Sequence, residues 1–233
     1  MYGSTPEIQL TQQLAKYSDW TVMRDILIES NGTLMHMDFI ILTVNAVFVC
    51  ELKTFRGRIE GEGMKKYWKQ YTKNAQIDYY NPILQNLYHI RALKQFLEPL
   101  DYEKYFHSVV FMYGLDGAVL HIQPPMPPQS SIVTSTDKFM QVAQTVCEKR
   151  NMEITQADLE FMADFIGNHQ VRGEEARLKH ITDGQYYKQQ AANAINLQRC
   201  PECMAPLKIA TAPDGNYFVC SRYPECTYSH KVP

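Results

Sequence analysis

Residues 36–53, HMDFIILTVNAVFVCELK, carry the side chains best suited to chemistry: Asp38, Glu51 and Lys53. A two-residue turn at Val44-Asn45 would fold this run into a hairpin in which Thr43 faces Ala46 and paired residue numbers sum to 89. Asp38 then falls opposite Glu51, and His36 opposite Lys53. Strand side chains alternate between faces. One face therefore carries His36, Asp38, Glu51 and Lys53 together with Ile40, Leu42, Val47 and Val49. The other carries Met37, Phe39, Ile41, Phe48, Cys50 and Leu52 and is wholly apolar. Two carboxylates directly opposite each other repel, and a divalent cation between them removes the repulsion. Two carboxylates plus water and substrate phosphate is a common way to hold Mg²⁺. The Lys53 ammonium suits the orientation of a metal-bound water or the stabilisation of phosphate charge. The alternative is a plain ion pair, Asp38–Lys53 or Glu51–Lys53, at a sheet edge.

The elements that must position these groups can be read on either side. Thr5-Pro6-Glu7 has the cap, first-turn proline and carboxylate of a helix start, and Leu10, Leu14 and Tyr17 follow at helical spacing. Glu7 shares that inward stripe, either as a third carboxylate or as a partner of the helix dipole. Residues 21–28, 34–43 and 46–53 read as strands. Asn81-Pro82 starts a second helix, running to about Glu98, and puts Gln85 one turn in, either toward the site or toward solvent. Residues 107–113 read as a strand and 131–134 as a short one, with the prolines at 124–128 in a loop between them. A helix follows from Asp137 to Arg150. This order predicts a mixed α/β domain over residues 1–150. Residues 151–199 read as a helical extension or linker, and residues 200–233 as a separate unit.

The run Asp38…Glu51-Leu52-Lys53, followed by Gly57, Trp68 and Asn81-Pro82-x-x-Gln85, resembles the nuclease-related domain (NERD) family of the PD-(D/E)XK superfamily. The resemblance covers roughly residues 5–120 and is best over 36–90. It implies a restriction-endonuclease-like mixed sheet flanked by helices, and hydrolysis of DNA phosphodiester bonds with Mg²⁺ or Mn²⁺. By this resemblance Asp38, Glu51 and the backbone carbonyl of Leu52 hold the metal, and Lys53 positions the attacking water. Glu7 and Gln85 match the family's helical glutamate and glutamine. The family often has histidine just after the strand aspartate; here Phe39 follows and His36 precedes.

Residues 53–73 hold seven cations, Lys53, Arg56, Arg58, Lys65, Lys66, Lys69 and Lys73, against Glu60 and Glu62, a local charge of +5. Tyr67, Trp68 and Tyr71 interleave with them. Cations there would neutralise phosphates and aromatics would stack bases; the alternative is a solvated basic loop, with Trp68 in the core.

The tail spaces its cysteines C-x2-C-x16-C-x5-C, at Cys200, Cys203, Cys220 and Cys226. Four thiolates so placed suit a closed, structural Zn²⁺ site, and a segment with so little apolar core needs metal binding to fold. Two disulfides are the alternative. Cys-Pro-x-Cys, Gly-x-Tyr-Phe-x-Cys and Tyr-Pro-x-Cys here resemble the four-cysteine zinc finger of bacterial type I topoisomerases. That implies zinc in a small zinc-ribbon-like domain and single-stranded DNA as partner. Tyr217, Phe218, Tyr223 and Tyr228 would stack bases or pack the domain, with Lys208, Arg222 and Lys231 on phosphates. Cys50 and Cys147 read as core thiols.

Composition constrains the rest. The chain is 45% hydrophobic and 21% charged, which excludes disorder throughout. A net charge of −2 argues against a bulk nucleic-acid binder, so any such contact must be local. Six cysteines in 233 residues do not make a disulfide scaffold. The longest apolar stretch, Phe39 to Cys50, is too short to span a membrane, and no signal peptide is visible. These features predict a soluble cytoplasmic protein with reduced thiols. Three functional classes follow: a metal-dependent nuclease, a DNA-binding module with a decayed nuclease fold, and an adaptor whose protein partner docks on residues 155–198.

Overall fold

The computed structural model describes residues 5–17, 19–30, 32–97, 105–150, 153–183, 195, 197–200, 203–213, 215–226 and 228–232. The chain divides into two compact units, residues 1–171 and residues 172–233.

The first unit begins with α1 (Thr5–Leu14) and three strands, β1 (Thr21–Ser30), β2 (Thr33–Leu42) and β3 (Val47–Glu62). Then come β4 (Tyr67–Tyr71), β5 (Gln76–Tyr80), α2 (Pro82–Phe96), β6 (Phe106–Gln123), β7 (Ser130–Val133), α3 (Thr136–Glu148) and α4 (Gln156–His169). All seven strands join one mixed sheet in the order β1-β2-β3-β4-β5, with β6 parallel to β3 and β7 parallel to β6. Helices cover both faces. Ile90 and Leu93 of α2 and Leu159, Met162 and Ile166 of α4 pack with Ile40, Leu42, Val47 and Val49. Leu10 and Leu14 of α1 and Phe139 and Ala143 of α3 pack with Phe39, Ile41, Phe48 and Cys50. Each buried Leu, Ile or Phe contributes about 1.5–3 kcal/mol, so the two apolar faces fix the sheet between its helical layers.

The expected hairpin register holds at its turn end. Leu42 faces Val47, Ile41 faces Phe48, Ile40 faces Val49 and Phe39 faces Cys50. Beyond Cys50 the ladder stops. Asp38 is therefore not paired across from Glu51, nor His36 across from Lys53; His36 pairs with Leu27 of β1 instead. Strict alternation also fails here, because Met37 packs with Ile40 and Leu42 rather than with Phe39. Its neighbour strand breaks at the same level: Asp25, between the pairs Arg24↔Phe39 and Ile26↔Met37, has φ of 57°. Aspartate tolerates that left-handed conformation better than most residues.

β3 continues well past the expected end. Arg58, Ile59 and Glu60 pair with Tyr71, Gln70 and Lys69 of β4. β4 thus takes over the edge of β3 that β2 leaves, and residues 51–57 between the two ladders form a notch. The basic stretch is not a loop: it forms the end of β3 and β4, and β5 follows. Gly57 has φ of 73°, and a Cβ there would lie 2.1 Å from the Tyr71 carbonyl oxygen. Only glycine fits that crossing. Trp68 is fully buried and donates to the Glu62 carbonyl at 2.8 Å, which confirms its core role.

In the second unit, residues 174–183 are helical. Strands β8 (Leu207–Ala212), β9 (Gly215–Cys220) and β10 (Ser229–Lys231) form an antiparallel sheet in the order β10-β9-β8.

Candidate active site and metal centre

Two hydrogen-bonding side chains at the start of α2 decide where its functional face lies. Asn81 caps the helix, its Oδ1 accepting from the Ile83 amide at 2.9 Å. Its Nδ2 donates to the carbonyls of Gly63 at 2.9 Å and Lys65 at 2.8 Å, fastening the helix start to the β3–β4 turn. Asn86, fully buried, donates from Nδ2 to the Val49 carbonyl at 2.8 Å and to Ser108 Oγ at 2.9 Å. The helix is thereby pinned across β3 and β6, with Gln85 and His89 turned toward the notch.

Glu51 occupies that notch and is 6% exposed. Its Oε1 meets Lys53 Nζ at 2.6 Å and accepts from Gln85 Nε2 at 3.0 Å. Its Oε2 lies 3.4 Å from His89 Nδ1. Burial pushes the Glu51 carboxyl up, but His89 and the Lys53 charge outweigh it and hold the group below its ordinary value. Asp38, half-buried, accepts the Leu52 amide on Oδ2 at 2.6 Å. That N–H is captured where the β2–β3 ladder ends, which is why the strands splay. Burial, then repulsion by Glu51, raises the Asp38 carboxyl to about 6. His36 bridges outward, with Nε2 2.7 Å from Asp25 Oδ1 and Nδ1 3.6 Å from Asp38 Oδ1.

The fold therefore brings Asp38, Glu51, Lys53 and Gln85 together. Glu7 lies half-buried in the first turn of α1, whose Leu10 and Leu14 pack on the sheet face opposite α2. Among the described residues, the only group of three or more possible ligands gathered tightly enough to share an ion is the four cysteines. Glu7 is thus not drawn into one tight cluster with Asp38 and Glu51. His89 is the residue that sequence reasoning passed over. The signal was its spacing, four residues after Gln85 and so on the same helix face.

The two carboxylates of the notch are oxygen donors of the kind a divalent cation takes. Two carboxylates raise each other's cost of ionisation, and Asp38 Oδ1 and Glu51 Oε2 receive no well-formed hydrogen bond from the groups named above.

Around the site, the fold supplies partners that the local charge count leaves out. Arg56 pairs with Asp116 at 3.3 Å, and Lys69 pairs with Asp78. Arg58 pairs with Glu60 at 3.2 Å and lies over the Tyr71 ring at 4.6 Å. Lys66 sits 5.7 Å over the Tyr67 ring. Lys65 and Lys73 are exposed. Tyr67 and Tyr80, both about two-fifths exposed, meet edge to face at 5.8 Å.

In the second unit Cys200, Cys203, Cys220 and Cys226 present Sγ atoms all within 4.8 Å of one another. The pairs Cys200–Cys226 and Cys203–Cys220 stand 3.6 and 3.4 Å apart. That is far beyond a disulfide bond of about 2.05 Å. It is close to the roughly 3.8 Å between thiolates on a tetrahedral ion with bonds of about 2.3 Å. The Arg222 amide points at Cys220 Sγ at 3.4 Å, and Met204, at φ 59°, turns the chain after Cys203. Tyr228 is buried against the cysteines and packs the unit, whereas Tyr223 is 67% exposed. Tyr217 and Phe218 are half-buried, Lys208 is exposed, and Arg222 pairs with Glu225 at 2.9 Å. The side chain of Lys231 lies outside the described residues. Cys50 is buried and Cys147 half-buried.

One helix, five strands, a helix and a further strand, with a carboxylate notch on the third strand, define a restriction-endonuclease-like α/β domain. Residues 2–113 match the family model of the nuclease-related domain, NERD. No curated protein and no solved structure matches the chain. No helix among the described residues is long and apolar enough to cross a membrane.

Proposed function

We propose that the protein is a metal-dependent nuclease that hydrolyses DNA phosphodiester bonds, with a zinc-bound tail that grips single-stranded DNA. The observation that carries this reading is the buried Glu51, held on Oε1 by Lys53 and Gln85 beside Asp38. Asp38 and Glu51 would hold Mg²⁺ or Mn²⁺, with the Leu52 carbonyl as a further donor; the ion when bound supplies Lewis acidity and an activated water. The Leu52 amide fixes Asp38 through Oδ2 and leaves Oδ1 for ligation. Gln85 fixes the rotamer of Glu51. Lys53, on the same edge of β3 and 28% exposed, can reach from Glu51 to a phosphate oxygen at the mouth of the notch. Lys65, Lys66 and Lys73, with Tyr67 and Tyr71, would receive the strand. The cysteines would hold structural Zn²⁺ and present Tyr223 for base stacking.

A second reading, a DNA-binding module without catalysis, is favoured by the tight Lys53–Glu51 pair, which ties up both groups. Incubation of the zinc-loaded protein, Glu51→Ala and Lys53→Ala with single- and double-stranded DNA and Mg²⁺ or Mn²⁺ separates the two. Cleavage by the wild type alone supports the nuclease. Binding without cleavage supports the second reading, and equal cleavage by all three sinks the site assignment.

A further inference from the structure

We propose that His89 is a metal ligand of the notch, and that it makes the site select a first-row transition ion such as Mn²⁺ over Mg²⁺. The inference rests on the metal-dependent reading above and deepens it.

His89 is 9% exposed, and its Nδ1 is buried without a hydrogen-bond partner. Its contact with Glu51 is an ion pair, which helps hold that carboxyl below its ordinary value. The nitrogen is aimed at Glu51 Oε2 from 3.4 Å, beyond the roughly 2.7–3.2 Å of a formed N–H···O bond. Oε2 is the oxygen that Lys53 and Gln85 leave alone, since both sit on Oε1. A nitrogen and an oxygen bound side by side in an octahedral shell with bonds of about 2.1 Å lie about 3 Å apart. The observed separation is a few tenths of an ångström wider, within reach of a small side-chain shift.

The backbone makes this arrangement repeatable. Gln85 and His89 lie one turn apart on α2, and Asn86 between them anchors the helix to Val49 and Ser108. Gln85 therefore orients the carboxylate while His89 completes its free side. An imidazole nitrogen suits transition ions, whereas Mg²⁺ demands oxygen ligands and keeps its waters. Without His89 the remaining donors are all oxygen, and the preference for Mn²⁺ should vanish.

The test uses the zinc-loaded full chain and Mn²⁺ alone as the probe, with binding followed by electron paramagnetic resonance and Mg²⁺ affinity by competition. The wild type should bind Mn²⁺ at least about tenfold more tightly than Mg²⁺ and show nitrogen modulation in the pulsed spectrum. His89→Ala and His89→Gln should both lose that modulation and at least about tenfold in Mn²⁺ affinity, with Mg²⁺ affinity held. Glutamine keeps a hydrogen-bond donor for Glu51, so wild-type Mn²⁺ binding by His89→Gln would reduce His89 to a positioning role and overturn the proposal. Tighter Mn²⁺ binding by either variant would do the same, by showing that the imidazole blocks the site. Absence of nitrogen modulation in the wild type refutes the proposal without any variant. Glu51→Ala separates the two levels. If it abolishes Mn²⁺ binding while the His89 variants do not, only the ligand assignment fails. If it leaves Mn²⁺ binding intact, the metal site itself is wrong.

Discussion

Asn86→Ala tests whether the candidate site depends on a single buried amide. The Asn86 side chain donates to the Val49 carbonyl at 2.8 Å, to Ser108 Oγ at 2.9 Å and more weakly to the Val109 carbonyl at 3.3 Å. Alanine strands the two well-bonded acceptors in a fully buried place, at about 1–3 kcal/mol each. The substitution also removes Oδ1, which is buried without a partner, and that returns about 1 kcal/mol. The net loss is about 3 kcal/mol, or a fall of roughly 10 °C in Tm for a unit of this size. Both tryptophans, Trp20 and Trp68, lie in the first unit, so denaturant unfolding followed by tryptophan fluorescence reports that unit alone. Ser108→Ala, made in both backgrounds, supplies the control: its cost should shrink by about 1 kcal/mol once Asn86 is gone. A loss below about 1 kcal/mol for Asn86→Ala, or an unchanged cost of Ser108→Ala, would refute the idea that this amide pins α2 to the sheet.

Gly57→Ala should destabilise the first unit by about 2 kcal/mol or more, because it combines a positive φ with a backbone clash at Tyr71; a midpoint shift below that in the fluorescence titration would contradict the crossing. Burial first, and then the Arg150 charge, pushes the His107 imidazole down to about 4. The unfolded chain protonates this group near its ordinary value of about 6.5 and the folded chain does not. Stability should therefore fall as pH drops from about 6.5 to about 4 and level off below, by about 3 kcal/mol in all. His107→Gln should flatten that limb of the stability profile, and an unchanged slope would remove His107 as its source. Stripping zinc with a chelator should abolish the β8–β9 sheet signal in circular dichroism while tryptophan fluorescence stays native; a tail that keeps its sheet without metal would show that the cysteines do not hold it.

The register at the Val44-Asn45 turn was legible because a long apolar alternation specifies it locally. The interruption at Asp38 was not, since it depends on Asp25 in another strand and on the Leu52 amide, neither of which leaves a periodic trace. Strands β4 and β5 escaped notice for a different reason. Their charged residues are paired across strands, as Lys69 is with Asp78, and charge density in one dimension reads as solvent exposure. Asn81-Pro82 announced α2 and placed Gln85, and the same helix period would have placed His89 had the inner face been read for ligands as well as for core. The four cysteines needed no such help, because spacing alone predicts their convergence.

The parallel pairing of β3 with β6 bears on how this chain can be divided. It runs from Val47↔Phe106 to Glu62↔Gln123, whereas the family match ends at residue 113, midway along β6. A chain cut there would leave residues 55–62 of β3 without that neighbour and would lose β7, α3 and α4, including Phe139, Met162 and Ile166 from the two apolar layers. Nor can the first unit close during synthesis until β6 has left the ribosome, because β3 must wait for a partner some 60 residues downstream. The stretch that carries the family match is, in this fold, shorter than the stretch that completes the sheet and closes its two apolar layers.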